Sequence, residues 1–343
     1  KNGYLLAPIK LADIVIFVSC GFCEKYEEWS VSKMEKIYNQ KKNGSLFIIC
    51  GCLTSIIPER LKNRFPDAIQ IQTRDLESLD SVIDAKIQMK KIPDTNITIF
   101  DKENVKYDSQ RTKTTAQIEY EEAKRGFKIR LGWGCLGNCS YCVTKYAEKG
   151  LKSKQENEII LEFKKGLSLG HNSFFLTAGD TGAYGIDISS SIVSLLNKIF
   201  EIEGEYKIHL HDFGVNWLCF YFDDLIKLFE KNVNRIGCIS VPFQSGSDKI
   251  LEKMCRPYKA IEAASKLVEL KKRLETVKIG THFIVGFPGE TDDDFQKSVE
   301  IVKMINFDFC NVFPYTDNKK ADSYSYSTQI EQEIILKRYN ILY

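Results

Sequence analysis

The sequence predicts an α/β protein with two parallel-sheet domains: an N-terminal open sheet, flavodoxin-like in outline, and a larger partial (β/α)6 barrel. Short apolar runs alternate with helical patterns along most of the 343 residues, which is typical of parallel βα units. A polar stretch without clear periodicity, about residues 93–122, interrupts this alternation and predicts a connector. We therefore expect an N-terminal domain over residues 1–92 and a barrel domain over residues 123–343.

Three βα units are predicted in the N-terminal domain. We expect its strands at residues 12–18, 45–50 and 68–72, and its helices at 27–40, 58–65 and 76–89.

Six further units follow the connector. Their strands are expected at 127–131, 173–177, 207–211, 236–241, 277–285 and 307–313. Their helices are expected at 158–169, 188–201, 223–231, 260–274, 292–305 and 330–342. Six units with one hand of connection predict a sheet that curls, with its reactive groups on loops at the strand C-termini.

The composition is that of an ordinary globular protein, with 43% hydrophobic and 27% charged residues. No apolar run approaches the roughly 18 residues that a membrane-spanning helix needs, and no signal peptide is evident, so we expect a cytoplasmic protein. A net charge of +2 neither demands nor excludes a nucleic-acid partner. Four lysines after the cysteine motif below form either a phosphate-binding patch or a solvated face: Lys145, Lys149, Lys152 and Lys154.

Eleven cysteines are a high number for a reducing compartment, where they indicate metal binding or catalysis rather than disulfides. Two close pairs lie in the first domain, Cys20 with Cys23 and Cys50 with Cys52. Four others lie in or beside apolar segments and are interpreted as small buried hydrophobic residues: Cys219, Cys238, Cys255 and Cys310.

The strongest signal is the C-x3-C-x2-C motif of Cys135, Cys139 and Cys142, directly after the first predicted barrel strand. Thiolates are the ligands of iron–sulfur clusters, and three ligands leave one iron of a four-iron cluster open. An open iron can chelate the amino and carboxylate groups of S-adenosylmethionine (SAM). The alternative is a structural zinc site, which usually requires four ligands in paired spacing, and no fourth Cys or His lies nearby.

With Tyr141 before its last cysteine, this motif resembles the signature of the radical SAM superfamily. The resemblance implies reductive cleavage of SAM to a 5′-deoxyadenosyl radical, chemistry that the cofactor supplies. Further segments are similar, in order along the chain, to the methylthiotransferase family: residues 12–20, 50–52, 176–185, 241–256 and 283–295. The family's fold implies the same partial barrel. Its SAM contacts are carried onto Tyr141, Gly179, Asp180, Tyr184, Gln244 and Ile284.

The same resemblance implies a second, auxiliary 4Fe-4S cluster held by three cysteines of the first domain. Cys20 and Cys52 match two of them. The third is expected some twenty residues before Lys1, or else Cys23 or Cys50 replaces it. The family's C-terminal RNA-binding β-barrel is not in the sequence, and the arginines that often follow the cluster loop are replaced by Lys149 and Lys154.

The family's activity implies insertion of a methylthio group at an unactivated C–H bond, with electrons from a flavodoxin- or ferredoxin-type donor. We expect the substrate to be C2 of an N6-modified adenosine-37 in a tRNA anticodon loop, a single-stranded base that can be splayed into a pocket. Methylthiolation of a β-carbon in a protein or peptide is the alternative, because residues 209–217 lack the family's usual pattern. A non-catalytic zinc protein is a third hypothesis from another class.

Overall fold

The computed structural model describes residues 3–21, 24–75, 77–88 and 126–342. The chain divides into two compact units. The first contains the described residues of Lys1–Thr95 together with Tyr141–Lys149 and Thr316–Ser325. The second contains those of Asn96–Ser140, Gly150–Tyr315 and Tyr326–Tyr343. The expected connector, 93–122, lies outside the described residues.

The first unit is built on a three-stranded parallel sheet in the order β1-β2-β3. Its strands are β1 (Ile14–Ser19), β2 (Leu46–Gly51) and β3 (Ile69–Ile71). Its helices are α1 (Glu24–Gln40), α2 (Leu53–Ile56), α3 (Pro58–Arg64), α4 (Ser78–Val82) and α5 (Thr144–Ala147). The central strand β2 is almost fully buried, and Phe47 packs with Phe65 and Met34 in the unit's main core. The prediction of a small open parallel layer is confirmed.

One local expectation for this unit was wrong, and one short helix was missed. The helix expected at 76–89 is only α4, because Asp84 adopts a left-handed conformation (φ 49°) that a regular helix cannot continue. Residues 76 and 89 themselves lie outside the described part. The short helix α2 was not predicted. The first unit also receives two later segments, since Val143, Ala147 and Ala321 are buried in its core.

The second unit contains a six-stranded, wholly parallel sheet in the order β11-β10-β9-β8-β7-β4. Its strands are β4 (Phe127–Arg130), β7 (Ser173–Thr177), β8 (Lys207–Leu210), β9 (Ile236–Gln244), β10 (Lys278–Val285) and β11 (Phe309–Pro314). A two-stranded antiparallel ribbon, β5 (Gly132–Trp133) and β6 (Lys152–Ser153), flanks the cysteine motif. Each strand neighbours the next in sequence, and β4 and β11 remain edges, as an incomplete barrel requires.

Helices join these strands and cover one face of the sheet. They are α6 (Glu156–Ser168), α7 (Ile192–Phe200), α8 (Val215–Phe220), α9 (Phe222–Lys231), α10 (Asp248–Lys253), α11 (Ala260–Arg273), α12 (Asp292–Ile305) and α13 (Gln332–Leu342). Alternate strand residues such as Phe174, Ile208 and Phe283 are fully buried in the core on that face. Helices α8 and α10 were not predicted, because both are single short segments without a measurable period.

The opposite face of the sheet lines the inside of the partial barrel. Here Phe175, Cys238 and Phe309 form a small separate cluster. A Cβ on Gly280 would lie 1.9 Å from the ring of Phe309, so only glycine leaves room for that ring. Of the four scattered cysteines, Cys238 is buried as expected, and Cys219 and Cys310 pack beside the main core. Cys255 is exposed, so that part of the interpretation was wrong.

None of the helices in the described ranges is both long and apolar enough to cross a bilayer.

Helix α13 is attached to the sheet by a buried ion pair. Arg338 donates from Nη1 to Glu290 Oε2 at 2.8 Å, and both side chains are almost fully buried. Glu290 Oε2 also accepts the backbone N–H of Gly286 at 2.8 Å, at the turn after β10. Ile335 packs onto this turn, since a Cβ at Gly286 would lie 2.4 Å from its side chain.

We expect Arg338→Met to destabilise the second unit by about 3–5 kcal/mol, because the Glu290 carboxylate would stay buried without its cation. The double variant Glu290→Gln/Arg338→Met should recover most of the loss. Urea denaturation followed by tryptophan fluorescence measures both. As a control, Arg273→Met removes an exposed arginine that pairs with Glu230 and should shift the midpoint little. Equal destabilisation by the single and double variants would contradict this account.

Candidate functional site

The cysteine loop begins where β5 ends and is shaped by two close backbone approaches. A Cβ on Gly132 would lie 2.8 Å from the carbonyl oxygen of Lys152, so the β5–β6 ribbon requires glycine at this position. Gly134 adopts φ 73°, in the left-handed region that glycine tolerates. The chain therefore turns sharply just before Cys135.

The sulfur atoms of Cys135 and Cys139 lie on the same side of the backbone at Gly137. The Gly137 N–H donates to Cys135 Sγ at 3.1 Å. A Cβ at Gly137 would meet Cys135 Sγ at 3.2 Å and Cys139 Sγ at 3.6 Å. Both cysteines are free and partly accessible. Two thiols held around a bare glycine backbone fit the thiolate ligation of an iron–sulfur cluster.

Cys142, the third predicted ligand, belongs to the first compact unit and lies just before α5. Its sulfur is 2.9 Å from Thr144 Oγ1 in a hydrogen bond. The following helix is held by an ion pair of 2.6 Å between Lys145 and Asp322. In the described part of the chain, no three His, Cys, Asp or Glu side chains are grouped to surround a single metal ion.

The lysines after the motif are partly committed to ion pairs. Lys145 pairs with Asp322, and the Lys145 ammonium lowers the pKa of that carboxyl. Lys154 is buried, with its ammonium 2.8 Å from Glu162 and over the ring of Trp133. These two lysines are therefore structural rather than parts of a phosphate-binding patch.

The loop after β7 passes close to the cysteine loop. A Cβ on Gly179 would lie 2.6 Å from the carbonyl oxygen of Gly134 and 3.6 Å from Cys135 Cβ. Asp180 follows, and its Oδ1 accepts the backbone N–H groups of Gly182 and Gly214, both at 3.0 Å. Burial raises the pKa of Asp180, while these two hydrogen bonds lower it. Gly179 therefore lets the two loops approach closely, whereas Asp180 joins the loops after β7 and β8.

Tyr184 was expected to contact SAM, but its position is that of a structural residue. Its ring is 1% exposed in the main core, and its hydroxyl donates to the carbonyl of Lys154 at 2.9 Å. Burial raises the pKa of this phenol strongly, so the hydroxyl remains a donor. We therefore leave Tyr184 out of the contacts proposed below.

Gln244 ends β9 and is the most distinctive of the expected SAM contacts. It has φ 69°, which is strained for a residue with a side chain. Its Oε1 is buried and has no hydrogen-bond partner within the described residues. A buried amide oxygen without a partner is costly, and a ligand that donates a hydrogen bond removes that cost.

Two further expected SAM contacts are Ile284 and Tyr141. Ile284 lies half-buried on β10, and Tyr141 lies half-buried in the first unit.

The structure adds a polar group that the sequence interpretation did not assign. His211 and Asp212 directly follow β8, and His282 lies within β10. His211 Nε2 lies 3.0 Å from Asp212 Oδ2, and His282 Nδ1 lies 3.7 Å from Asp212 Oδ1. The rings of Phe175 and Phe313 lie beside these histidines. All three polar side chains are partly exposed, between 15% and 32%. The alternation His-Leu-His at 209–211 was the available signal, since alternate strand residues share a face.

Below these groups, His209 is buried and close to Ser173 Oγ at 3.3 Å. Burial lowers the pKa of His209 to about 4, so this imidazole is neutral at physiological pH. A Cβ at Gly237 would lie 2.2 Å from its ring. His209 therefore belongs to the filled floor of the barrel rather than to its open mouth.

In the first unit, Cys20 and Cys52 lie at the ends of β1 and β2. Gly51 (φ 96°) lets these strand ends approach, because a Cβ there would lie 2.3 Å from the carbonyl oxygen of Ser19. Burial raises the pKa of the Cys52 thiol, and the charge of Cys20 raises it further, while a backbone hydrogen bond from Gly21 opposes both. Because Ser19 pairs with Gly51, Cys20 and Cys52 follow the adjacent ends of two neighbouring strands.

Cys50 and Cys23 were the expected substitutes for a third ligand. Cys50 is 2% exposed and packs in a separate cluster with Ile48, Ile71 and Leu79. Cys23 lies outside the described residues. The structure thus separates Cys50, a core residue, from the partly accessible Cys52.

Comparisons with known proteins show which families the two parts of the chain match. The model of the radical SAM superfamily matches residues 129–302, about half of the chain, and that of "Uncharacterized protein family UPF0004" matches residues 1–71. The "Probable threonylcarbamoyladenosine tRNA methylthiotransferase" of Methanocaldococcus jannaschii is 27% identical over 100% of this chain and 76% of its own length. The "Ribosomal protein uS12 methylthiotransferase RimO" of Chlamydia felis is 28% identical over 100% of this chain and 72% of its own length.

Among solved structures, the radical SAM methyltransferase TsrM of Kitasatospora setae has a similar fold, with a TM-score of 0.63. At 12% identity it covers 91% of this chain, which spans 65% of that protein. This likeness concerns the fold alone. The superfamily match implies a 4Fe-4S cluster and SAM as cofactors, for which the Cys135–Cys139 loop has the appropriate donors. The chain therefore belongs to the radical SAM superfamily, and the relatives that match it along its whole length are methylthiotransferases.

Proposed function

We propose that this enzyme is a methylthiotransferase that modifies C2 of an N6-modified adenosine-37 in tRNA. One observation carries the proposal: accessible cysteines follow strands in both units, Cys20 and Cys52 after β1 and β2, and Cys135 and Cys139 after β5. Cys135, Cys139 and Cys142 would hold the SAM-binding 4Fe-4S cluster. Cys20 and Cys52 would hold an auxiliary 4Fe-4S cluster with a further ligand. Similarity to methylthiotransferases over the whole chain supports both assignments.

The cofactors would supply a radical able to abstract hydrogen from an unactivated carbon and a sulfur able to accept a methyl group. The chain's own residues bind and orient. Gln244 accepts a hydrogen bond from SAM with its unpartnered Oε1, and Ile284 provides an apolar contact. Gly179 lets the loop after β7 pass beside Cys135 without a side chain intruding. The filled floor of the barrel, with Phe175 and Phe309, keeps water from the closed end.

His211, Asp212 and His282 are the proposed substrate contacts. His211 and Asp212 directly follow β8, where barrel enzymes place substrate-binding groups, and His282 lies close to them within β10. Asp212 adopts φ 49° and contacts both imidazoles, and the half-buried ring of Phe313 beside His282 supplies a surface on which a base can stack. Electrons would come from a flavodoxin- or ferredoxin-type donor. Reduced cysteine ligands and a tRNA substrate would both support a cytoplasmic location for the reaction.

The second candidate is methylthiolation of a protein side chain, and one finding favours it. A relative that acts on ribosomal protein uS12 matches the chain as well as a relative that acts on tRNA, at 28% and 27% identity. The structure contains the same barrel for either substrate.

The substrate is tested by anaerobic incubation of the iron-loaded protein with SAM and dithionite. We expect mass spectrometry to find a methylthio nucleoside in tRNA carrying N6-threonylcarbamoyladenosine, and no modification of uS12. His211→Ala should raise the KM for tRNA about tenfold, the cost of one or two polar contacts, while substrate-free cleavage of SAM is unchanged. A methylthiolated peptide with unmodified tRNA would establish the second candidate instead.

Cys139→Ala should abolish formation of 5′-deoxyadenosine, because the SAM cluster would lose one of its three ligands. Iron analysis should then find about half the wild-type content, since the auxiliary cluster is held by other cysteines. The exposed Cys255→Ala is the matched control and should leave both values unchanged. Continued production of 5′-deoxyadenosine by Cys139→Ala would refute the assignment of the loop.

Cys52→Ala should end methylthio transfer but preserve cleavage of SAM, because only the auxiliary cluster would lose a ligand. Cys50→Ala is its control two residues away. Because Cys50 is buried in the core, its substitution should lower the unfolding midpoint and leave the iron content intact. Iron and acid-labile sulfide analysis with product chromatography measures both. Loss of iron from Cys50→Ala, with full retention in Cys52→Ala, would reverse the assignment.

A further inference from the structure

An arginine from a distant part of the chain reaches the cysteine loop. Arg256 Nη1 donates to Cys139 Sγ at 3.4 Å, across 117 residues of sequence. Both residues belong to the second compact unit, and Arg256 is half-buried.

The guanidinium of Arg256 is fixed by several neighbours. Its Nη2 donates to the carbonyl oxygen of Pro242 in β9 at 3.2 Å. Its plane lies over the ring of Tyr258, 5.5 Å from the centroid. Tyr258 in turn donates its hydroxyl to the carbonyl of Phe243, and burial raises the pKa of this phenol to about 12, so it remains a donor. A guanidinium held in this way loses little further freedom on contact with sulfur.

The backbone around Arg256 is held against the same cysteine loop. The Ser140 N–H donates to the carbonyl of Met254 at 3.2 Å, and its hydroxyl donates to the carbonyl of Lys253 at 2.8 Å. Cys255 adopts φ 56°, which turns the chain after α10 and directs Arg256 back toward the loop. The arginine and the Cys139 sulfur are thus positioned by one set of contacts.

We propose that Arg256 is a positioning residue that raises the reduction potential of the SAM-binding cluster through its hydrogen bond to the Cys139 sulfur. In that step the cluster gains one electron from a low-potential one-electron donor, dithionite in vitro, and no bond forms or breaks. The added negative charge is shared by the sulfur ligands. A cationic N–H donor on one sulfur favours the reduced form, since hydrogen bonds and nearby charge tune such clusters.

This inference rests on the proposed ligation by Cys135, Cys139 and Cys142. Its test is a mediator titration of the iron-loaded full chain, followed by electron paramagnetic resonance of the signal that changes when SAM is added. Arg256→Gln removes both the positive charge and the paired N–H donors of the guanidinium. At a fixed potential we expect the ratio of reduced to oxidised cluster to fall about tenfold, which equals about 59 mV for a one-electron couple. Arg256→Lys keeps the charge and should lower the ratio less.

Arg235→Gln is the matched control. Arg235 likewise donates to backbone carbonyls, of Phe200 and Ile202, and lies over a tyrosine ring, that of Tyr206 at 4.8 Å. It precedes β9, at the strand end away from Gln244 and the cysteine loop. We expect this variant to leave the potential unchanged. An equal fall in Arg235→Gln would show that loss of any such arginine perturbs the cluster, and would overturn the proposal.

Iron content separates the possible failures. A wild-type chain that binds no iron at the loop would refute the proposed cluster site rather than the role of Arg256. If Arg256→Gln loses its iron, Arg256→Lys decides: a lower potential supports the proposal and an unchanged one overturns it. Full iron content and an unchanged potential in Arg256→Gln would likewise overturn it.

Discussion

Close packing of bare backbone around the cysteine loop is the constraint on which the site depends. Gly137 lies against the sulfurs of Cys135 and Cys139, and Gly179 lies against the carbonyl of Gly134. A Cβ at Gly179 would overlap the carbonyl oxygen of Gly134, and a Cβ at Gly137 would press against the Cys135 sulfur. The two glycines leave space for the cysteine sulfurs and for the neighbouring loop. They are therefore as much a part of the site as the cysteines.

The polar residues around the loop fall into two groups with different chemistry. Asp180 and Tyr184 have their hydrogen-bonding capacity used by backbone groups of neighbouring loops. Gln244 keeps a buried oxygen without a partner in the described structure and a strained backbone conformation. A folded protein satisfies most of its buried polar atoms, so this exception at the end of β9 supports the ligand contact that we propose for Gln244. Conversely, a buried polar side chain whose hydrogen bonds are all made within the protein is interpreted as a structural residue.

Parallel strand order brings together groups that are far apart in sequence. His211 and His282 come from β8 and β10, two strands separated by β9, and meet at Asp212. Arg256 and Cys139 meet across the same end of the sheet. Because all six strands run in the same direction, every loop that follows a strand lies at the same end of the sheet. Polar residues on these loops therefore line one common cavity.

The sequence by itself determined the class of the fold and the choice of cysteines for the proposed cluster. Alternating apolar runs and helical periods are local properties, so all nine predicted strands are observed near their expected bounds. The spacing of Cys135, Cys139 and Cys142 is equally local, as is the choice of thiolate as ligand. Short segments such as α2, α8 and α10 were missed because four to six residues carry no period.

Only the tertiary structure decided which side chains face the site. Only two residues separate Cys50 from Cys52. Cys50 lies within β2 and is buried, whereas Cys52 lies in the turn into α2 and is partly accessible. Tyr184 lies on a loop beside the site, but its ring packs into the core. The contact of Arg256 with Cys139 depends on the return of the chain after β9. Such outcomes depend on packing between distant segments, which no local pattern records.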